Sequence, residues 1–278
     1  MSGTALVIVL FAAVLHASWN AVVKGASDRA VVIAAVSLSH AVAGAFLIII
    51  SPPPSSEIWL YVGLSTLIHY AYYGLLFQAY RLGDLSQVYP IQRGLAPALV
   101  ALGAFVFIGE TLTPLGWIGL AAISCGIALL AFPRGRHRAD PRAIGVATIL
   151  GITIAGYSIV DGIGVRYSED PMTYIGWLFL LEFPVGLMIL GRRRLRRMNV
   201  SGSTFVLGLF GGLLAVLAYG FVLYAKTLAP LGAVSAVRES SVIFAALIGI
   251  VLFHERPVAQ RLLSAVIVGC GVIALASA

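Results

Sequence analysis

Arg93 and Arg238 stand 145 residues apart, each inside a run otherwise apolar enough to cross a bilayer. Each is followed by a glutamate and then a Cys-Gly step: Glu110, Cys125 and Gly126 after the first, Glu255, Cys270 and Gly271 after the second. A guanidinium at the bilayer centre costs roughly 2.5–3.5 kcal/mol on insertion scales, so each must face a partner or water. Two arrangements satisfy this. In one, Arg93 and Arg238, with Gln92 and Glu239 beside them, line a wet pathway and hold an anionic group such as a carboxylate or phosphonate. In the other they close internal ion pairs, with Arg238 meeting Glu182 or Asp161. Adjacent Arg238 and Glu239 point about 100° apart on a helix, so separate partners are expected for them. Pro90 and Pro97 flank Arg93 and remove backbone donors, leaving carbonyls free to face a cavity.

The remaining polar residues fall on stripes. His16, Asn20 and Lys24 follow one another at four-residue steps, with Trp19 alongside, and His69, Tyr72, Tyr73 and Tyr80 make a second stripe. A polar-aromatic face turned into a helix bundle suits an amphipathic solute, and ring faces can hold an amine. Tyr157 lies in the corresponding part of the second half. For His16 and His69 a hydrogen bond between helices is an equal alternative, and for Trp59, Tyr61 and Tyr80 interfacial anchoring is the expectation. Asp161 and Glu182 are the acidic residues able to exchange a coupling proton, because a carboxylate in a low dielectric holds its proton more tightly. Asp161 is expected near the wet end of its helix and Glu182 deeper. Glu110 and Glu255 end helices, where they cap the next helix or pair with loop arginines. No catalytic residue, cofactor or metal site is expected. An integral-membrane enzyme acting on a lipid-linked substrate is the alternative class, but His254-Glu255-Arg256 lacks a second histidine one turn on and no Gly-rich phosphate loop occurs.

The elements that must position these residues are transmembrane helices. Of 278 residues 60% are hydrophobic and 10% charged, with mean hydropathy +1.00, too few charges to clothe a water-soluble domain of this size. Apolar runs recur at roughly 4–24, 31–50, 58–80, 85–108, 115–132, 143–163, 173–190, 203–225, 231–253 and 258–276, each close to the ~20 residues that cross the hydrocarbon layer. The first lacks a basic leader and carries a polar face, so it reads as a retained helix. Spans three to five repeat in spans eight to ten: Ala79…Leu82…Val88…Arg93…Glu110 against Ala225…Leu228…Val234…Arg238…Glu255. The earlier spans match more weakly, with Trp19-Asn20 near Tyr157-Ser158. The fold expected is therefore all-α and integral to the membrane, ten helices as two inverted five-helix repeats, because an odd number per repeat reverses the second copy. The halves are 1–133 and 143–278, joined by a basic loop at 134–142.

Fourteen of the 18 Lys and Arg lie in loops after odd-numbered spans, among them Lys24, Arg29, Arg142, Arg256 and the run Arg192–Arg197. The opposite loops hold only Arg166 and Lys226, and the other two basic residues are the arginines within spans. The positive-inside rule puts the basic loops in the cytoplasm and both termini outside. The net charge of +7 thus reflects topology and anionic lipid, not nucleic acid. Cys125 and Cys270 read as small packing residues.

With Gly109-Glu110 and His254-Glu255 closing spans four and nine, Trp19-Asn20 and Lys24 in span one, and Tyr157-Ser158-Ile159-Val160-Asp161-Gly162 in span six, the chain resembles the EamA-type transporters of the drug/metabolite transporter superfamily. The resemblance covers nearly the whole chain. It implies a secondary carrier or exporter of small metabolites or drugs in the bacterial inner membrane, multi-pass, monomeric or homodimeric, with a central cavity and alternating access. The chain departs from the family in two respects. His254 takes the place of a glycine, and the loop charges put the termini outside, where the family convention has them inside.

Overall fold

The computed structural model describes residues 1–82, 85–131 and 141–278; the expectations placed on Tyr80, Arg81, Arg134, Arg136 and Arg138 fall outside the residues whose side chains are described. The helices are α1 (Gly3–Gly25), α2 (Arg29–Ile50), α3 (Ile58–Leu82), α4 (Leu85–Ile108), α5 (Pro114–Ala128), α6 (Pro141–Tyr167), α7 (Pro171–Leu180), α8 (Phe183–Leu195), α9 (Gly202–Ala225), α10 (Leu231–Arg238), α11 (Ser241–Val251) and α12 (Val258–Ala276). Their starts follow the sequence chemistry. Asp28, Thr113, Asp170 and Ser201 each accept a hydrogen bond from a backbone N–H of the first turn, and Pro114 and Pro171 sit in the first turn, where no donor is needed.

Among the described residues there are ten crossings. Two of the predicted spans are broken rather than continuous: span seven is α7 plus α8, and span nine is α10 plus α11. Eight spans are individually long and apolar enough to cross a membrane. Span five is shorter, 15 residues extended by a 3-10 turn over Leu129–Ala131, and span three carries the His-Tyr stripe. α4 runs unbroken through Pro90 and Pro97, so the break falls in its repeat counterpart, which has no proline there.

The packing follows the repeat. α1 packs on α9 as α6 packs on α3, α2 lies against α7 and α8, and α5 crosses α12. At that last crossing Gly119 and Gly271 meet: a Cβ on either would lie 2.7 Å from the carbonyl oxygen of the other, so two small residues set the approach of the halves. Cys125 and Cys270 remain free thiols on the exposed side of the same pair.

The ends of spans four and nine use one turn geometry. Gly109 and His254 adopt left-handed backbone (φ +69 and +51), and the next N–H returns to Ala104 O at 3.1 Å in one half and to Gly249 O at 3.0 Å in the other. Glycine takes this conformation freely, whereas a residue with a Cβ loses about 1–2 kcal/mol. His254 is exposed, so His254→Gly sacrifices little packing. The variant is expected to unfold about 1 kcal/mol less readily in detergent; a lower midpoint than the parent protein would contradict the strain assigned here.

Candidate functional site

The breaks in spans seven and nine deliver the two acidic residues that matter most. At Leu181-Glu182 the chain steps out of α-helix before Pro184, and neighbours take up the freed backbone groups. Tyr70 donates its hydroxyl to Leu181 O at 2.5 Å, and Ser37 donates to Glu182 O at 2.6 Å while accepting from Gly186 N at 3.1 Å. The Glu182 carboxylate then points inward, where Tyr73 donates to it at 3.1 Å and His40 stands 3.7 Å away. His40 Nδ1 also contacts Val36 O at 2.9 Å. At Glu239-Ser240 the backbone closes three-residue turns, Glu239 N to Ala236 O and Ser240 N to Val237 O. This displaces Glu239 from regular helix geometry.

That displacement decides the ion pairing. Arg93 Nη1 donates to Glu239 Oε1 at 3.0 Å, and Arg238 Nε lies 3.9 Å from the same oxygen. The alternative pairing of Arg238 with Glu182 or Asp161 is therefore not the one formed. Arg238 and Glu239 do take separate nearest partners, as expected: Glu239 is hydrogen-bonded by Arg93, and Arg238 approaches the same oxygen only to 3.9 Å. Arg93 also contacts the His16 ring, to which Trp19 donates at 3.2 Å, and Asn20 folds back onto His16 O at 2.7 Å. Arg238 differs from Arg93: its guanidinium lies 5.9 Å above the Tyr219 ring, and its Nε has no hydrogen-bond partner among the described residues.

These groups wall a cavity of about 850 Å³. His16, Trp19, Asn20, His69, Tyr73, Gln92, Arg93, Tyr157, Glu182 and Arg238, all singled out by sequence, line it. Glu239 does not; it faces a separate void of about 10 Å³ beside Pro97, Ser158 and Ser235. Asp161 does not either. It has 0% exposure, contrary to the wet helix end expected, because α6 continues to Tyr167. Its oxygens accept from Tyr174, at 2.9 Å, and from Tyr219. The cavity runs from the stacked His69 and Tyr157 rings, 4.2 Å apart, to a mouth between Lys24, Glu255, Arg256 and Arg261. Lys24 and Arg261 both pair with Glu255 there. The mouth thus lies on the side of the basic loops.

The opposite end is shut. Arg166 donates to Glu110 Oε1 at 2.6 Å, to Lys226 O at 2.6 Å and to Ala229 O at 2.8 Å, and Glu110 Oε2 accepts from Leu231 N at 2.7 Å. Glu110 thereby caps α10 and ties the end of span four to span six. Arg166, expected in a loop, is half-buried in this lock, and Lys226, also expected in a loop, is fully buried.

The comparisons with known proteins agree with this architecture. The chain matches the EamA-like transporter family over residues 3–132 and 141–277. The chain belongs to the EamA-like transporter family. It is a multi-pass membrane protein of a transporter family built from two five-helix repeats. An uncharacterized transporter encoded in the cobO 3' region of a Sinorhizobium species is 38% identical over 73 residues, a stretch covering 26% of this chain and 51%, about half, of that relative. A crystal structure described only as that of a protein superposes with a TM-score of 0.79 over 99% of both chains at 16% identity, which establishes a shared fold.

Sequence reasoning missed His40, Tyr219, Tyr174 and Lys226 as parts of the buried polar system. His40, Tyr174 and Lys226 lay within or beside an apolar run without a repeat partner of like chemistry, whereas Tyr219 falls opposite Tyr73 in the repeat, a signal that could have found it. The breaks had faint signals: Pro184 just after Glu182, and the four consecutive polar residues Arg238-Glu239-Ser240-Ser241.

The Arg93–Glu239 pair makes a stability prediction. Glu239→Ala leaves a buried guanidinium without its carboxylate, which costs about 3–5 kcal/mol. Arg93→Met combined with Glu239→Leu removes both charges and should recover most of that loss. Denaturant titration in detergent reads both effects, and a Glu239→Ala protein as stable as its parent would show that the pair does not hold the halves together.

Proposed function

We propose that the protein is a secondary transporter, an exporter, of small metabolites or drugs bearing an anionic group, and that it works by alternating access between its two repeats. The observation that carries this reading is Arg238, 6% exposed on the wall of the cavity, with an unsatisfied Nε. Glu239 answers the charge of Arg93, and a carboxylate or phosphonate of the solute would answer that of Arg238. Tyr219 under the guanidinium, with Tyr157 and Trp19, supplies ring faces for the apolar body. Glu182 with Tyr73 and His40 offers the complementary end for a solute that also carries an amine.

The positive-inside rule makes the open mouth cytoplasmic, so the cavity loads from inside and the Arg166–Glu110 lock faces out. The halves 1–133 and 143–278 then rock about the α5–α12 crossing. Asp161 and Glu182 are the coupling candidates, and one chain suffices to enclose the path. The test is efflux from proteoliposomes containing the pure protein, loaded in turn with labelled carboxylates, amino acids, phosphonates and neutral sugars. Protein-dependent efflux of the anionic or zwitterionic compounds supports the proposal; efflux of neutral sugars alone refutes the role given to Arg238.

A further inference from the structure

Lys226 follows the last residue of α9, yet its side chain has 0% exposure. A lysine at a helix end ordinarily reaches for water; this one turns inward and donates to Ser158 O at 2.9 Å. Ser158 lies one turn of α6 from Asp161, whose oxygens are already taken by Tyr174 and Tyr219. The ammonium thus has a carbonyl where a buried cation ordinarily finds a carboxylate. The backbone of the same residue belongs to the lock, since its carbonyl accepts from Arg166 Nε at 2.6 Å. Tyr219 reaches from Asp161 to the cavity wall beneath Arg238. Cavity, Tyr219, Asp161, Lys226 and outer lock therefore form one chain of neighbours.

The repeat argues that this arrangement serves something other than packing. In the first half the position of Lys226 is Tyr80, and Asp161 falls opposite Val23 when Trp19-Asn20 is set against Tyr157-Ser158. The five-helix unit therefore has no general need for either charge. The charged and titratable groups around Lys226 are Asp161 and Arg166 of α6, Tyr174 of α7, Tyr219 of α9, Arg238 of α10 and Glu110 after α4. Burial pushes the ammonium down to about 7, with Asp161 opposing that shift and Arg238 and Arg166 adding to it.

We propose that Lys226 is a proton-exchanging residue tied to the outer lock, charged when the outer side is open and neutral when it is shut. The proposal rests on the alternating-access reading and follows from linkage: the protonated amine favours the state that hydrates it, and the state that buries it favours proton release. When the lock opens, Nζ takes a proton from outside water. When it closes, the N–H bond of the ammonium breaks and the electron pair stays on the amine. The proton then passes toward the cavity, on the side where Asp161 stands one turn of α6 from the Ser158 carbonyl and is bonded by Tyr219 of the cavity wall. One proton moves inward as one solute moves outward.

The test uses the two lysines of the chain, Lys24 and Lys226. The full-length protein labelled with 15N-lysine in nanodiscs, carrying Lys24→Arg, gives a single side-chain signal. That signal is expected to titrate with a midpoint near 7 and to rise by about half a pH unit when Glu110→Gln opens the lock, whereas loss of a carboxylate by charge alone would lower it. Glu110→Ala serves as a second opening variant should the first fail to fold; Arg166→Gln is unsuitable, because it also removes a cation that depresses the amine. An ammonium that stays charged well above pH 9, or a midpoint that neither lock variant raises, overturns the proposal. No solute is involved, so a failed transport assay and a failed titration remain separate results.

Discussion

Arg238→Gln should abolish efflux of anionic solutes while the protein still inserts and folds. Two charge-assisted hydrogen bonds at about 1.5–3 kcal/mol each put the loss of solute affinity at about 100-fold or more. Arg93→Gln should act differently, because Arg93 is bonded to Glu239 at 3.0 Å and its loss strands that carboxylate in the bundle. Its main effect is reduced stability and abundance, with solute affinity per folded molecule less affected. Measuring efflux per mole of folded protein for both variants separates the two roles. Equal losses of affinity would show that the arginines act as one site.

The second large effect is at the lock. Arg166 makes three hydrogen bonds there, each to an element of the closed end. Arg166→Gln removes the charge and most of that geometry, a loss of roughly 2–4 kcal/mol, which moves the balance between the two open states by about 30- to 1,000-fold. Glu110→Gln should shift it less, because the amide oxygen can still cap Leu231 N. Distances between spin labels on the loops after α4 and α9 report the change: they should lengthen in the order parent, Glu110→Gln, Arg166→Gln. Unchanged distances in Arg166→Gln would mean that side-chain bonds do not hold this end shut.

Much of the fold was legible because the membrane leaves few options. Backbone groups without water must be satisfied inside each segment, so apolar length alone places helices. The two arginines stood out for the same reason, as residues that lipid cannot tolerate. Their partners were not legible. Whether Glu239 serves Arg93, Arg238 or both depends on a three-residue turn at Glu239-Ser240, and hydropathy carries no information about such a turn. Asp161 looked wet because the apolar run fades after Ile163, but Arg166 continues the helix by bonding inward to the lock. Lys226 does lie in the connection after α9, but its burial was not legible: charge at a span end signals exposure only when nothing inside the protein accepts it. The repeat, by contrast, correctly placed Glu110 and Glu255 at equivalent ends, one in the shut lock and the other at the open mouth.

The central claim is that one cavity between two inverted repeats is open to one face of the membrane at a time. Cysteine accessibility tests it most directly. With Cys125 and Cys270 replaced by serine, a cysteine at Ala245, on the cavity wall, should react with a membrane-impermeant maleimide only from the face bearing the Arg192–Arg197 run. With Arg166→Gln added, it should become reactive from the other face and lose reactivity from the first. Labelling of the parent from both faces at once, or from neither, would contradict the account.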